Sequence, residues 1–241
     1  MQFDPKPSGS NPGPTGFDIG EPKEFAFDYD NKHFSLWMHS RGSIGPAATH
    51  GFYEREFLEY VRRAYPTQKT IIEVGAHCGN HVTFWTSFLE YKEVHAFEPN
   101  YESFPLLERN VGHLPGVHLY PKGVWSHEAQ GTIFRYQVEP GCTSVSPIEG
   151  GDNEVDLVAI DSLGLKDVTM IKMDCEGPEL QALQGAEETI RRDRPVLFVE
   201  ISPQGNEHFP PQFDEIEKLL TGWGYHLQHR WYEHIMMEWT P

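Results

Sequence analysis

Thr70-Ile71-Ile72-Glu73-Val74-Gly75-Ala76-His77-Cys78-Gly79-Asn80-His81 is the stretch whose reading decides the fold. Ile71, Ile72 and Val74 form a β-branched run too short for a helix, which predicts a buried strand. Two glycines four positions apart follow, and His81 to Leu89 then carries the apolar pattern of a helix. Strand, glycine turn and helix in that order open a nucleotide-binding βαβ unit. The glycines let the backbone turn sharply and let a ligand approach without meeting a Cβ. The helix N-terminus behind them offers free N–H groups to a polar or anionic ligand group.

Val94-His95-Ala96-Phe97-Glu98-Pro99-Asn100 predicts a second strand ending in an acid. Glu98 lies nineteen residues after Gly79, the spacing at which a carboxylate accepts hydrogen bonds from a bound ribose. Glu73, just before the glycines, is an acid that dinucleotide folds do not need, and the turn lacks the middle glycine of G-x-G-x-x-G. Two acids and no pyrophosphate cradle suit a ligand with a ribose diol and a cationic tail, which is S-adenosylmethionine. The competing reading makes Glu73 an ordinary strand-end acid.

Composition sets outer limits. The 241 residues make one large domain, or one domain with a tail. A hydrophobic fraction of 38% is enough for a core, and a net charge of −17 argues against a nucleic-acid partner. Cys78, Cys142 and Cys175 form neither a CxxC pair nor an even disulfide framework. With no apolar run of bilayer length and no signal-peptide pattern, a cytoplasmic protein without a membrane partner is expected.

Outward from the glycine turn, residues 1–22 are rich in Pro, Gly and Ser and are expected to form a flexible tail. Residues 23–66 predict a β-hairpin turning at Asp30-Asn31-Lys32, then a helix with Phe57, Leu58, Val61 and Tyr65 on one face that stops at Pro66. Residues 67–241 hold the cofactor-binding domain. A helix with Phe104, Leu106, Leu107 and Val111 follows Glu98, then a third strand at Val117 to Tyr120. Residues 127–160 alternate like strands, with turns at 139–141 and 150–153, and predict an inserted antiparallel segment shaping the substrate site or merely covering the sheet. Val168 to Met173 predicts the fourth strand, followed by one helix running from Pro178 to Arg194. Val196 to Ile201 reads as a central strand covered on both faces, and Phe213 to Trp223 as a further helix. Tyr225 to Trp239 then predicts a closing hairpin that turns near Tyr232 and Glu233.

Five motifs in this order carry a family resemblance. They are Glu73 to His81, Ala96-Phe-Glu-Pro-Asn100, Val158-Ala-Ile-Asp-Ser-Leu163, Ile171-Lys-Met-Asp-Cys-Glu-Gly-Pro-Glu-Leu180 and Arg194-Pro-Val-Leu-Phe-Val-Glu-Ile201. Together they resemble the FkbM-type methyltransferases. The resemblance implies an α/β class I methyltransferase (Rossmann-like) fold, with a mostly parallel doubly wound sheet ending in an antiparallel β-hairpin. It also implies S-adenosylmethionine as cofactor, and a hydroxyl on a sugar or natural product as acceptor. It places Glu73, Gly75 and Gly79 on the methionine side, Glu98 on the ribose, and Asp174 and Glu176 near the transferring methyl. The family usually has asparagine at His77 and aspartate at Glu73. The full set expected to bind cofactor is Glu73, Gly75, Ala76, His77, Gly79, Asn80, Glu98, Asn100, Gly123 and Val124.

Asp174 and Glu176 are the expected catalytic residues. On an extended strand end they project to one side, where they share a proton or hold a divalent cation, with Glu200 as a third oxygen ligand. The base is the expectation, and no metal is assigned. A histidine site from His77 and His81 is disfavoured because His77 lies in the turn. Cys78 and Cys175 read as small buried thiols, and Trp37, Tyr53 and Trp125 as packing residues or sugar-stacking rings. Two other functions remain: a nicotinamide-dependent oxidoreductase sharing the βαβ start, and a non-catalytic cofactor-binding interaction module.

Overall fold

The computed structural model describes residues 20–41, 45, 48–135, 143–147, 153–202, 209–231 and 236–241. Most of the tail expected at 1–22 and the turns expected at 139–141, 150–152 and 232–233 lie outside them.

The predicted strand before the glycines is β3 (Thr70–Val74), and every one of its residues is buried. It continues into α2 (Asn80–Phe88), β4 (Glu93–Phe97), α3 (Phe104–Val111) and β5 (Val117–Tyr120). Here α2 is numbered after α1 (Arg55–Ala64), and β3 after the hairpin β1 (Pro22–Tyr29) and β2 (Lys32–His39). Parallel pairing sets β4 beside β3 and β5 beside β4. On the other side β10 (Val168–Met173) pairs in parallel with β3, and β11 (Val196–Glu200) with β10. The antiparallel pair β12 (His226–Trp231) and β13 (Met236–Thr240) closes that edge, with β13 next to β11. The seven-stranded order β12-β13-β11-β10-β3-β4-β5 is the expected class I arrangement. Chain direction switches sides between β3 and β10, so the crevice beyond their carboxyl ends is where a ligand belongs.

Two apolar layers sandwich the sheet. Ile71, Met170 and Phe198 pack on one face with α1, α2 and the N-terminal hairpin. Ile72, Val74, Ile171 and Val199 face the other layer, with Leu183, Ile190 and Leu220. The hairpin shares this core: Phe27, Phe34, Phe52, Phe84 and Phe88 form a chain of ring contacts, with Phe52 packing edge-on against Phe27 at 5.0 Å and Phe84 at 5.2 Å. Residues 23–66 are therefore a cover for one sheet face.

The insertion forms its own four-stranded sheet in the order β6-β9-β7-β8, comprising β6 (Gly123–Val124), β7 (Ala129–Arg135), β8 (Thr143–Ser146) and β9 (Glu154–Val158). Within the segment expected at 127–160, β7 pairs antiparallel with both β8 and β9, as expected; β6, which precedes the segment, adds a parallel pair with β9. The single helix expected between Pro178 and Arg194 is instead two, α4 (Glu179–Gln184) and α5 (Glu187–Asp193). The break falls at Gly185, where a Cβ would lie 2.0 Å from the Trp125 carbonyl oxygen. The last helix, α6 (Phe213–Gly222), lies between β11 and the closing pair in sequence.

Because Phe52 joins hairpin to helix, Phe52→Ala should destabilise the whole protein by about 3–5 kcal/mol, in one cooperative transition. Chemical denaturation followed by fluorescence and circular dichroism checks this; a separate early transition would mean that the hairpin folds on its own.

Candidate active site

The glycine turn is held against both neighbouring strands. Gly75 and Ala76 both donate their N–H to the Phe97 carbonyl at 3.0 Å. A Cβ on Gly75 would lie 1.7 Å from the Asp174 carbonyl oxygen, so only glycine lets the turn sit this close to the end of β10. Gly75, His77 and Gly79 have φ of 78°, 48° and 87°, and His77 thus adopts the left-handed conformation that asparagine also tolerates. Gly79 caps α2 and, having no side chain, makes no cap hydrogen bond to its first turn. The Asn80 side chain does something else. Its Oδ1 accepts the Tyr53 N–H at 3.1 Å and its Nδ2 donates to the Tyr53 carbonyl at 3.2 Å, tying the segment before α1 to the turn.

Glu98 follows β4, 5% exposed. Its Oε2 accepts the His77 N–H at 2.7 Å and its Oε1 accepts the Asn100 N–H at 2.8 Å, so each oxygen keeps a lone pair for a ligand. Burial pushes its carboxyl up to about 7 despite these two donors. Asn100 turns its Oδ1 to the Glu102 N–H, which shapes the bend into α3.

Beyond the ends of β10 and β11 lie three acids. Oxygens of Asp174, Glu176 and Glu200 all come within 4.8 Å of one another. Glu176 has a φ of 60°, and the loop around it is braced by Glu179, whose Oε1 accepts the N–H groups of Cys175 at 3.2 Å and Gly177 at 3.0 Å. Burial, then the charges of Asp174 and Glu176, hold the Glu200 carboxyl well above the usual range.

The sequence model of the "Methyltransferase FkbM domain" family matches residues 73–227, which span all of these groups. The chain belongs to this family. Among solved structures, an FkbM methyltransferase from Methylobacillus flagellatus KT aligns over 81% of this chain at 18% identity and a TM-score of 0.55. This chain spans about half of that one's length, 50%. An S-adenosylmethionine-dependent methyltransferase from Aquifex aeolicus aligns over 81% of this chain and 92% of its own, at 14% identity and a TM-score of 0.45. No curated protein matches the chain. Family membership implies S-adenosylmethionine, which sets the nicotinamide reading aside.

The residues of this FkbM domain fit that cofactor. The uncapped start of α2 suits its carboxylate, and the remaining lone pairs of Glu98 suit its ribose diol. Three residues expected to bind cofactor are held within the fold by their own packing. Glu73 is 0% exposed, with its oxygens engaged by His81 Nδ1 at 3.1 Å, Trp85 Nε1 at 2.7 Å and Lys172 Nζ at 3.4 Å. It supports the turn from inside the fold. Gly123 and Val124 are buried in β6, and Leu157 and Val145 would crowd a Cβ on Gly123 at 2.7 and 2.8 Å, so packing accounts for that glycine. Among the aromatic residues, Trp37 carries the Arg109 guanidinium 3.4 Å over its ring and Trp125 packs near Phe209. Cys78 and Cys175 are buried free thiols, both pushed up by burial, Cys78 to about 12. His77 and His81 do not converge: His81 turns to Glu73 and, at 3.0 Å, to Glu54.

Four residues of the site were missed by sequence reasoning. Lys172 stands directly beside Glu73 in the β3–β10 register, 1% exposed, with Nζ 2.9 Å from Asp174 Oδ2. Burial would lower its pKa, but Asp174, Glu73 and Glu54 raise it further than burial lowers it. Burial alone would raise the Glu73 carboxyl; Lys172, His81 and Trp85 outweigh it and hold it below the usual range. A lysine within the apolar run Val168 to Met173 was the available signal. Glu179 lies within the quoted motif that ends at Leu180, but Glu54 and His39 gave no signal, because only the fold brings them here. His39 ends β2, and burial together with His39 pushes His77 down to about 4, leaving a neutral imidazole.

Removing Lys172 leaves Glu73 buried without its ammonium, so Lys172→Met should destabilise by about 3–5 kcal/mol, and adding Glu73→Gln should restore part of it. Equilibrium denaturation of the single and double variants checks this. For Glu98, the ribose diol favours the ionised form, so S-adenosylmethionine affinity should rise as pH rises through about 7. Stability of the ligand-free protein should change oppositely. The folded state keeps this proton up to about 7 while the unfolded chain releases it near ~4.3, so stability falls as pH rises across that window. In Glu98→Ala the affinity should drop by about 2–4 kcal/mol and lose its pH dependence. Calorimetry between these pH limits measures both, and an unchanged affinity removes Glu98 from the site.

Proposed function

We propose that the protein is an O-methyltransferase that uses S-adenosylmethionine to methylate a hydroxyl of a sugar or natural-product acceptor. The observation that carries this reading is the convergence of Asp174, Glu176 and Glu200 at the switch point, one turn away from Glu98. The bound cofactor supplies a methyl group on a cationic sulfur, which leaves with the sulfur–carbon electron pair as the new oxygen–carbon bond forms. The chain's own part is to hold the acceptor oxygen in line and to take its proton. Asp174 is the base in this reading. Lys172 fixes its Oδ2, leaving Oδ1 for the acceptor hydroxyl. Glu176 and Glu200 lie close enough to Asp174 to share the released proton. The neutral His77 adds an uncharged polar edge, its Nδ1 buried with no hydrogen-bond partner.

The same three carboxylates support a second reading, in which they hold a divalent cation that lowers the acceptor hydroxyl's pKa. Asp174→Asn keeps the side-chain shape but removes the base, so turnover should fall about 10²-fold or more while cofactor affinity stays within a few-fold. Methyl transfer to a panel of glycosides, read by mass spectrometry, is the assay. EDTA should have little effect if Asp174 acts as base. Activity lost in EDTA and restored by Mg²⁺ selects the cation, and full activity in Asp174→Asn overturns both readings.

A further inference from the structure

The other end of the sheet carries a second cluster. Glu93 and His95 are two apart on β4 and so project to one face, and His118 is the residue opposite His95 on β5, an edge strand. One ligand atom from each of the three lies within 4.8 Å of the others. The two imidazoles stack at 4.7 Å with 20° between their planes. His95 is 5% exposed and held from behind, its Nδ1 2.9 Å from the Tyr120 hydroxyl. Its Nε2 points at Glu93, 3.5 Å from Oε2, yet is buried with no hydrogen-bond partner. A buried polar nitrogen left in that state is destabilising, and a ligand to it would relieve the cost. His118 is exposed and Glu93 half-buried, so the nitrogen can be reached from solvent through them.

We propose that Glu93, His95 and His118 bind a divalent transition metal, Zn²⁺ being the best match, at a site separate from the cofactor crevice. Two imidazoles and one carboxylate are a zinc donor set, with water completing four-coordination. The Tyr120 hydroxyl plays the part of the outer partner that fixes a ligating histidine and its tautomer. Glu93 offers Oε2 to the metal while its Oε1 pairs with Lys92 Nζ at 3.2 Å. Burial and the neighbouring His118 push the His95 imidazole down, which favours the neutral form that can ligate. Glu93 and His95 lie five and three residues before Glu98 along the strand, so at roughly 3.3 Å per residue the metal sits about 10–16 Å from that acid. Its effect is to cross-link the edge strand β5 to β4.

The test uses the full chain, stripped with chelator and titrated with ZnCl₂ by calorimetry, with Co²⁺ absorption to report the ligand set. One tight equivalent is expected, with visible bands from four-coordinate Co²⁺ and a raised melting temperature. His118→Ala, an exposed position that should fold normally, is expected to weaken Zn²⁺ about 10-fold or more and abolish the bands while leaving S-adenosylmethionine affinity unchanged. Glu93→Gln should weaken it in the same direction. Because the chain has 13 histidines, scattered weak binding is the competing outcome. Zn²⁺ binding that is absent in the unaltered protein, or equal in His118→Ala, overturns the proposal. Asp174→Asn must leave this binding intact; loss there would place the metal in the acidic crevice instead and overturn it too.

Discussion

Lys172 stands inside a seven-stranded sheet, 1% exposed, with its ammonium 2.9 Å from Asp174 and 3.4 Å from Glu73. An ammonium carried into that environment alone would be neutralised by desolvation. Two carboxylates keep it charged, and in return it keeps Glu73 ionised although that carboxylate is fully buried. From Glu73 the network runs to His81 and on to Glu54, so one continuous polar row underlies the glycine turn, α2 and the start of α1. Neither partner can be removed without stranding the other, which makes this row a fixed floor for the crevice.

That floor decides what the acids above it can do. Asp174 is anchored on one oxygen, while Glu176 sits in a left-handed turn whose loop is pinned by Glu179. Burial raises the Glu179 carboxyl to about 6, and three backbone donors resist that rise. Glu200 comes from the next strand and meets both acids without an ammonium of its own within ion-pair distance among the described groups. The crevice therefore holds one carboxylate braced by an ammonium and one whose charged form is disfavoured by burial and by the acids beside it.

The N-terminal segment belongs to this machinery as much as to the core. Its aromatic residues bury one face of the sheet and of α2, and its ends deliver polar groups to the site. His39 comes from the end of β2, the Tyr53 backbone locks onto Asn80, and Glu54 reaches His81. The insertion after β5 is different: Gly123 and Val124 close a small sheet of their own, and glycine is required there by Leu157 and Val145.

Residue order alone determined the core strands, the two-glycine turn, the acid Glu98 after β4 and the Asp174/Glu176 pair, because each depends on local periodicity or on spacing along one chain segment. The FkbM resemblance was legible for the same reason, since its motifs are short strand ends. Only the tertiary structure decided that Glu73 faces inward. A strand-end acid and a buried one have the same local sequence, and the difference is the lysine directly across the β3–β10 register, nearly a hundred positions away. Likewise the Trp125 carbonyl, from a distant segment, leaves no room for a Cβ at Gly185, and His95 meets His118 only once parallel strands align. Burial and long-range register are properties of the folded chain, and no window of sequence contains them.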